Sequence, residues 1–278
     1  MEAFGVYLEK ERSRSKNTVM SYTIDLRNFY KFLASEGIAE QKPEKINQTN
    51  IMAYMLYLEK TGKTSATICR KLASLKSFCR FLLIKRRIAD DPAYKIKAPK
   101  TELKLPPALD PKALNLLMHQ PDQKTSKGLR DIAVLSLLFS TGIKVSELIQ
   151  LNVSDIRFTT HVIDCRSGKR KRAIILDKDT ARTMKAYKET ARGLMLKNPV
   201  EEAFFVNCNG ARFTRQGLWK VIKSYAQKAN IAENITPTAL RHSFAMKLVS
   251  SGEDMESLQQ KLGHVDTTTT QVYFKKRV

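Results

Sequence analysis

Apolar residues recur at three- and four-residue steps through the first part of the chain: Phe4, Tyr7 and Leu8; Tyr22, Leu26, Phe29, Tyr30 and Leu33; Ile51, Tyr54, Met55 and Leu58; Ile68, Leu72, Leu75, Phe78, Cys79, Leu82 and Leu83. Such a step lays them on one stripe of a helix, and no strand-like alternation intervenes, so residues 4–88 are expected to form four or five amphipathic helices. Asn17-Thr18 and Thr64-Ser65 stand ahead of two runs as N-caps, with Gly37 and Gly62 placed as stops. The pattern then lapses in DPAYKIKAPKTELKLPPALD, residues 91–110, which holds four prolines and no apolar period. We therefore read residues 1–97 as a helical domain, 98–108 as a linker and 109–278 as a second domain. In the latter, 111–119 reads as a short helix and 129–151 as a buried one broken at Thr141-Gly142. VIDC and AIIL flank the basic turn SGKRKR as a β-hairpin, and helical spacing resumes beyond 180 to about Phe274. The fold class expected is mainly α with a small antiparallel sheet.

Charge adds a partner to this outline. Lys and Arg number 49 against 27 Asp and Glu, a net charge of +22, and residues 1–97 alone carry 19 basic against 10 acidic side chains. A basic excess spread over both domains suits a polyanion bound along a long surface, because every neutralised phosphate releases counterions. Nucleic acid is the leading partner; on charge alone, a ribosome-associated or merely basic soluble protein is the alternative. The four cysteines, Cys69, Cys79, Cys165 and Cys208, are scattered, with no C-x-x-C pair and no histidine cluster at metal-ligand spacing, so they read as reduced thiols and no metal is expected. No apolar run approaches membrane-span length and the N-terminus lacks a signal-peptide core, which points to the cytoplasm, on the nucleoid.

The last third of the chain carries the candidate chemistry, in TPTALRHSFAMKLVSSG followed by LQQKLGHVDTTTTQVYFKKRV. A tyrosine near the end of a basic chain suits attack on a phosphodiester, its phenolate storing the bond energy as a phosphotyrosine. A metal-free site for such a step needs fixed cations around the phosphoryl oxygens, arginine best of all because its planar fork meets two oxygens at once, and a lysine to protonate the departing 5′-oxygen.

These residues resemble the tyrosine recombinases, the phage integrase family, in their Xer-like form. The resemblance rests on LRHSFA around Arg241, on LGH at 262–264 and on TTQVY ending at Tyr273, with steps of 23 residues from Arg241 to His264 and 9 from His264 to Tyr273. STGIKVSELIQLNVSDI, residues 140–156, is similar to the family's turn and helix after its first buried helix; NTVMSYTIDLRNFYKFL and ATICRKLASLKSFCRFL resemble its helical core-binding domain. The resemblance implies Tyr273 as nucleophile, Arg241 as the second phosphate-clamping arginine and His264 as the histidine on a phosphoryl oxygen. It implies Lys169 as the hairpin general acid, with Lys171 as the alternative because the turn is short. Two positions depart from the family. Lys144 stands for the first clamping arginine, keeping charge but not the fork, and Thr238 stands for a histidine, with no acid–base capacity near neutral pH. Five residues follow Tyr273, where family members usually carry a further helix that docks on a neighbouring protomer, so assembly through that exchange is not expected.

The resemblance also places Thr67, Arg70, Lys71, Ser74 and Lys76 on a helix entering the major groove, and Arg215, Gln216 and Lys220 on a DNA-facing segment of the second domain. Trp219 is expected in the core; His242 and Phe244 read as structural, and His119 and His161 have no assigned partner. The expectation is that the two domains grip opposite faces of a duplex, with no nucleotide or other cofactor and with self-association on DNA left open. Two functions follow. Lys144 and Thr238 favour a duplex-binding regulator of a phage or mobile element whose strand-cleaving chemistry is lost or impaired, and the alternative is an active recombinase working through a 3′-phosphotyrosyl intermediate.

Overall fold

The computed structural model describes all residues except 39–41, 101–107, 168–169, 233–234, 265 and 275–278. The chain divides into two compact units, Met1–Leu103 and Lys104–Val278.

The first unit is helical throughout its regular elements. A short α1 (Glu2–Val6) runs on into a wider turn, Tyr7–Glu11, ahead of α2 (Lys16–Ser35), α3 (Gln48–Lys60) and α4 (Ser65–Ile84). Sequence spacing anticipated these helices, but the start of α2 lies upstream of the expected cap: Ser15, not Asn17-Thr18, accepts the free amide of Thr18 at 3.2 Å. Thr64 caps α4 in the same way, through the Thr67 amide. Gly37 and Gly62 follow α2 and α3 with φ of 72° and 71°, the left-handed region open to glycine without strain. Phe4, Tyr7, Phe29, Tyr54, Phe78 and Phe81 interlock at the centre.

The second unit wraps helices around one buried helix. The chain enters through α5 (Pro111–Met118), whose last turn the His119 ring closes on the Asn115 carbonyl, Nδ1 at 2.8 Å. Next comes α6 (Ser126–Thr141), which ends at Gly142 with φ of 56° and turns into α7 (Val145–Gln150). A small antiparallel sheet follows in order β1 (Ile156–Arg157), β2 (Val162–Ser167), β3 (Arg170–Ile175); β1 is a strand the sequence pattern did not show. Then α8 (Lys178–Ala186) continues through a wider-coiled turn into α9 (Gly193–Met195), and α10 (Arg215–Lys228), α11 (Pro237–Ser250), α12 (Met255–Leu262) and α13 (Thr267–Phe274) complete the unit.

The expectation of helix everywhere beyond 180 fails between α9 and α10. There the chain runs extended, bridging Asn152 to Ala203 and Val206 to Arg212 around a turn at Gly210 with φ of 74°. Buried Arg130 and Asp131 on α6 hold this segment. Arg130 donates to the Val206 carbonyl at 3.1 Å and lies over the Phe213 ring, while Asp131 accepts from Tyr225 of α10 at 2.8 Å. Beside the main core, Phe244, Ala245 and Val249 of α11, Leu258 and Leu262 of α12 and Tyr273 of α13 form a second apolar cluster, which fixes where Tyr273 sits.

Candidate active site

The site is assembled at the C-terminal end of α12, whose last carbonyls have no partner within the helix and carry the negative end of its dipole. Three cationic side chains from three different elements meet three successive carbonyls there. Arg172 of β3 donates to the Lys261 carbonyl. Arg241 of α11 reaches the Leu262 carbonyl at 2.5 Å through Nη2, and the Gly142 carbonyl through Nη1. Lys144, in the turn between α6 and α7, donates from Nζ to the Gly263 carbonyl at 2.5 Å. Gly263 takes a left-handed φ of 62°, and a Cβ built on it would lie 2.8 Å from Arg172 Nε, so both backbone and space call for glycine.

Glu147 ties the cations to the fold. Its carboxylate is 2% exposed and accepts the Lys144 amide at 3.0 Å together with Arg172 Nε at 3.2 Å and Nη2 at 2.8 Å. Burial pushes this carboxyl up, but the hydrogen bonds and charge of Arg172, with Lys144, outweigh it and hold the group below the usual carboxylate range. Arg241 goes the other way: burial, and then the charge of Arg172, bring its guanidinium down to about 10, still protonated at neutral pH.

His264 follows directly on this strip. Its Nδ1 lies 2.9 Å from Thr270 Oγ1, and burial followed by the charges of Arg241 and Lys144 brings its pKa down to about 4, so the ring is neutral at pH 7. The Tyr273 ring is parallel to it, centroids 6.4 Å apart and planes 9° apart. The Tyr273 hydroxyl is 2.5 Å from His242 Nδ1, and the residue is 3% exposed; burial raises its pKa against the lowering field of Arg241. Burial and Arg241 also lower the pKa of His242, which leaves the imidazole neutral and able to accept the phenol proton.

Of the residues expected at the site, Lys144, Arg241, His264 and Tyr273 are thus gathered together. Thr238 is exposed and lines a groove with Val145, Arg215, Gln216, Trp219, Thr236 and Pro237. Lys169 lies outside the described residues, and of Lys171 only the backbone is described, paired with Arg166 in the hairpin.

Three residues that sequence reasoning did not place here belong to the site: Arg172, Glu147 and His242. His242, read as a structural histidine, is the direct partner of the Tyr273 hydroxyl. It lies one helical turn beyond Thr238 on α11, a spacing that puts the two on one face.

The expected DNA-facing side chains divide. In α4, Thr67 is half-buried, its hydroxyl 3.0 Å from that of Thr64; Arg70 is exposed and Lys76 half-buried. Lys71 and Ser74 do not reach outward: both are buried, Lys71 3.3 Å from Asp25 and Ser74 bonded to the Lys71 carbonyl, because they fall on the apolar stripe between Ile68 and Phe78. Arg215, Gln216 and Lys220 are exposed on α10. Trp219, expected in the core, is 39% exposed, with Lys223 Nζ 4.9 Å above its ring.

Residues 107–278 match the model of the phage integrase family, and residues 1–86 that of the phage integrase N-terminal SAM-like domain. The chain belongs to the phage integrase family. Among its curated relatives is the tyrosine recombinase XerD of Oceanobacillus iheyensis, 39% identical over 275 residues that cover 98% of this chain and 92% of that one. Another is the tyrosine recombinase XerC of a Roseiflexus species, 35% identical over 279 residues covering 98% and 88%. Among solved structures, XerA recombinase aligns over 97% of this chain and 91% of its own, at a TM-score of 0.55 and 27% identity. The recombinase fold is also that of XerH in its post-cleavage complex with difH DNA, TM-score 0.76 at 20% identity over 96% of this chain and 79% of that one. Within this family frame, the clustering of Lys144, Arg241, His264 and Tyr273 falls on the motifs that carry the resemblance. No described helix is long and apolar enough to cross a membrane.

Proposed function

We propose that this integrase-family chain is a site-specific DNA recombinase that cuts and rejoins duplex DNA through Tyr273. The observation that carries this reading is the convergence of Lys144, Arg241 and Arg172 on the strip 261–263, immediately beside His264 and a Tyr273 hydroxyl already paired with an imidazole. Its relatives bear the names of recombinases, which supports strand cleavage over the binding-only function that Lys144 and Thr238 suggest by themselves.

In the reaction, Tyr273 Oη attacks the scissile phosphorus and its proton passes to His242 Nδ1. A tyrosyl–phosphate bond forms as the bond from phosphorus to the 5′-oxygen breaks, and that oxygen takes a proton from a hairpin lysine, Lys169 or Lys171. Arg241, Lys144 and the neutral His264 meet the charge that grows on the phosphoryl oxygens. Rejoining is the reverse attack by a 5′-hydroxyl. Exchange between two duplexes needs more than one bound copy, so self-association on DNA belongs to the same reading, as does work on the nucleoid.

The duplex is held by both units, residues 1–97 and 109–278, joined by the linker 98–108. Each isolated unit should then bind far more weakly than the whole chain, since the linker supplies effective concentration. A second function, regulation of a phage or mobile element by binding alone, is favoured by the burial of Tyr273 and by the unforked Lys144.

The deciding experiment recovers genomic fragments bound by the protein, footprints the preferred site and presents it as a nicked duplex. A denaturant-resistant, protease-sensitive protein–DNA adduct, absent in Tyr273→Phe, is expected. No adduct, with DNA affinity unchanged in Tyr273→Phe, would establish the binding-only function instead.

A further inference from the structure

We infer that Arg172 is a third phosphate-binding cation of the site and supplies the forked contact that Lys144 lacks; this rests on the recombinase reading above. The first support is placement. Arg172 and Arg241 are held alike, each donating to a carbonyl at the end of α12, and the two carbonyls are adjacent in the chain, Lys261 and Leu262. The residues sequence comparison marks as clamps, Lys144 and Arg241, therefore share their anchoring strip with one side chain from the hairpin.

The second support is orientation. Glu147 takes Arg172 through Nε and Nη2 together, which fixes the plane of the guanidinium, and the Glu147 carboxylate is itself fixed by the Lys144 amide. Of the five N–H donors of an arginine, three make these bonds and that to Lys261, which leaves two, one on each Nη, without a bond among the described residues and available to the two oxygens of a phosphate. The side chain keeps 16% of its surface open, so it is not sealed in the fold. The bare backbone of Gly263 lets the guanidinium approach closely, next to His264, whose pKa its charge helps to lower.

The third support is need. A lysine offers a point charge, whereas two oxygens of a phosphoryl group are met together by a planar fork. With Lys144 in the turn after α6, Arg241 alone would supply a fork; Arg172 makes a second one without any change in the fold.

A structural ion pair between Arg172 and Glu147 is the competing explanation, and the test separates the two. It uses the full chain and the nicked site, and reads the single-turnover rate of adduct formation beside DNA affinity. Arg172→Lys keeps a charge near Glu147 but loses the fork, and is expected to slow adduct formation by about 10²-fold with affinity held within about tenfold. Arg172→Ala combined with Glu147→Gln, which leaves no orphaned carboxylate, should lose about 10³-fold. Adding Lys144→Arg to Arg172→Lys should recover about tenfold or more, a rescue that a structural bridge has no reason to give. An unchanged rate in Arg172→Lys, or a loss matched by the fall in folded fraction, overturns the proposal.

Should the wild-type chain form no adduct, the recombinase reading fails, and affinity still judges Arg172. Phosphates of the footprinted site are replaced one at a time by neutral methylphosphonate. One position where the replacement weakens wild type but not the Arg172→Ala, Glu147→Gln double variant supports the contact, and additive losses at every position overturn it.

Discussion

Both units gather basic side chains around a buried carboxylate, and they use the same chemistry to opposite ends. In the first unit Asp25, 2% exposed, faces Arg70 and the buried Lys71, which also lies 3.3 Å from the Tyr54 hydroxyl; one acid answers two bases inside the fold. In the second, Glu147 is bonded side chain to side chain with Arg172, while the charged ends of Arg241 and Lys144 donate to peptide carbonyls, which orient a cation without cancelling it. The charge of the first cluster is largely used in holding α2 to α4. On the recombinase reading, that of the second is left for an incoming phosphate. Residue type and burial alone do not distinguish a stabilising cluster from a receptive one; the nature of the acceptor does.

The largest effect that would test this contrast is on stability. Asp25→Ala strands Lys71 in the core, at an expected cost of about 3 to 5 kcal/mol. Because the single tryptophan, Trp219, lies in the second unit, the helical circular-dichroism signal should begin to fall in urea well before Trp219 fluorescence changes. A loss under about 1 kcal/mol would mean that the Asp25 cluster behaves as a solvated surface pair.

A smaller effect is expected from pH, and only in the second unit. His264 has its pKa lowered in the fold to about 4, so between that value and its ordinary one the unfolded chain takes up the proton and the folded chain does not. The contribution is fully present above about pH 6.5 and is lost as pH falls toward 4, amounting to about 1 to 2 kcal/mol once partial solvent exposure is allowed for. The urea midpoint read by Trp219 should therefore drop from pH 7 to pH 5 in wild type and drop less in His264→Asn. Equal drops would remove His264 from the account.

The smallest effect sharpens the contrast at the DNA surface. Arg215, exposed at the first turn of α10, should lower the slope of log K against log salt by about one unit when replaced by alanine. Arg70→Ala should lower it by clearly less, since Asp25 already takes up part of its charge. Equal slopes for the two variants would break the distinction between neutralised and receptive cations.

Much of this was legible beforehand. The helix stripes, the glycine stops and the hairpin follow from periods and steps along the chain, whereas the Arg241, His264 and Tyr273 set was legible only through the resemblance to the family. What escaped depends on direction. SGKRKR offers four basic residues with nothing local to say which turns inward; the register does, because Arg172 pairs with Cys165, and partners across an antiparallel ladder share a face. Lys71 and Ser74 were read by residue type as DNA contacts, yet they sit at three- and four-residue steps from Ile68, Leu75 and Phe78, so the stripe itself held the answer. His242 looked structural because its partner, Tyr273, lies 31 residues away and reaches it only when α11 and α13 pack.

The end of α12 also changes what it means for an anion to arrive. The carbonyls of Lys261, Leu262 and Gly263 surround the cations with half of a solvation shell made of protein. That half does not have to be stripped away or rebuilt for an anion to bind on the open side, and on the recombinase reading the entering phosphate would complete the shell. The carbonyls carry partial charge and the newcomer carries full charge, so the gain grows with every increment of negative charge on the oxygens that enter. On the recombinase reading, a receptor finished in this way responds most strongly to the state in which the phosphoryl oxygens are richest in electrons.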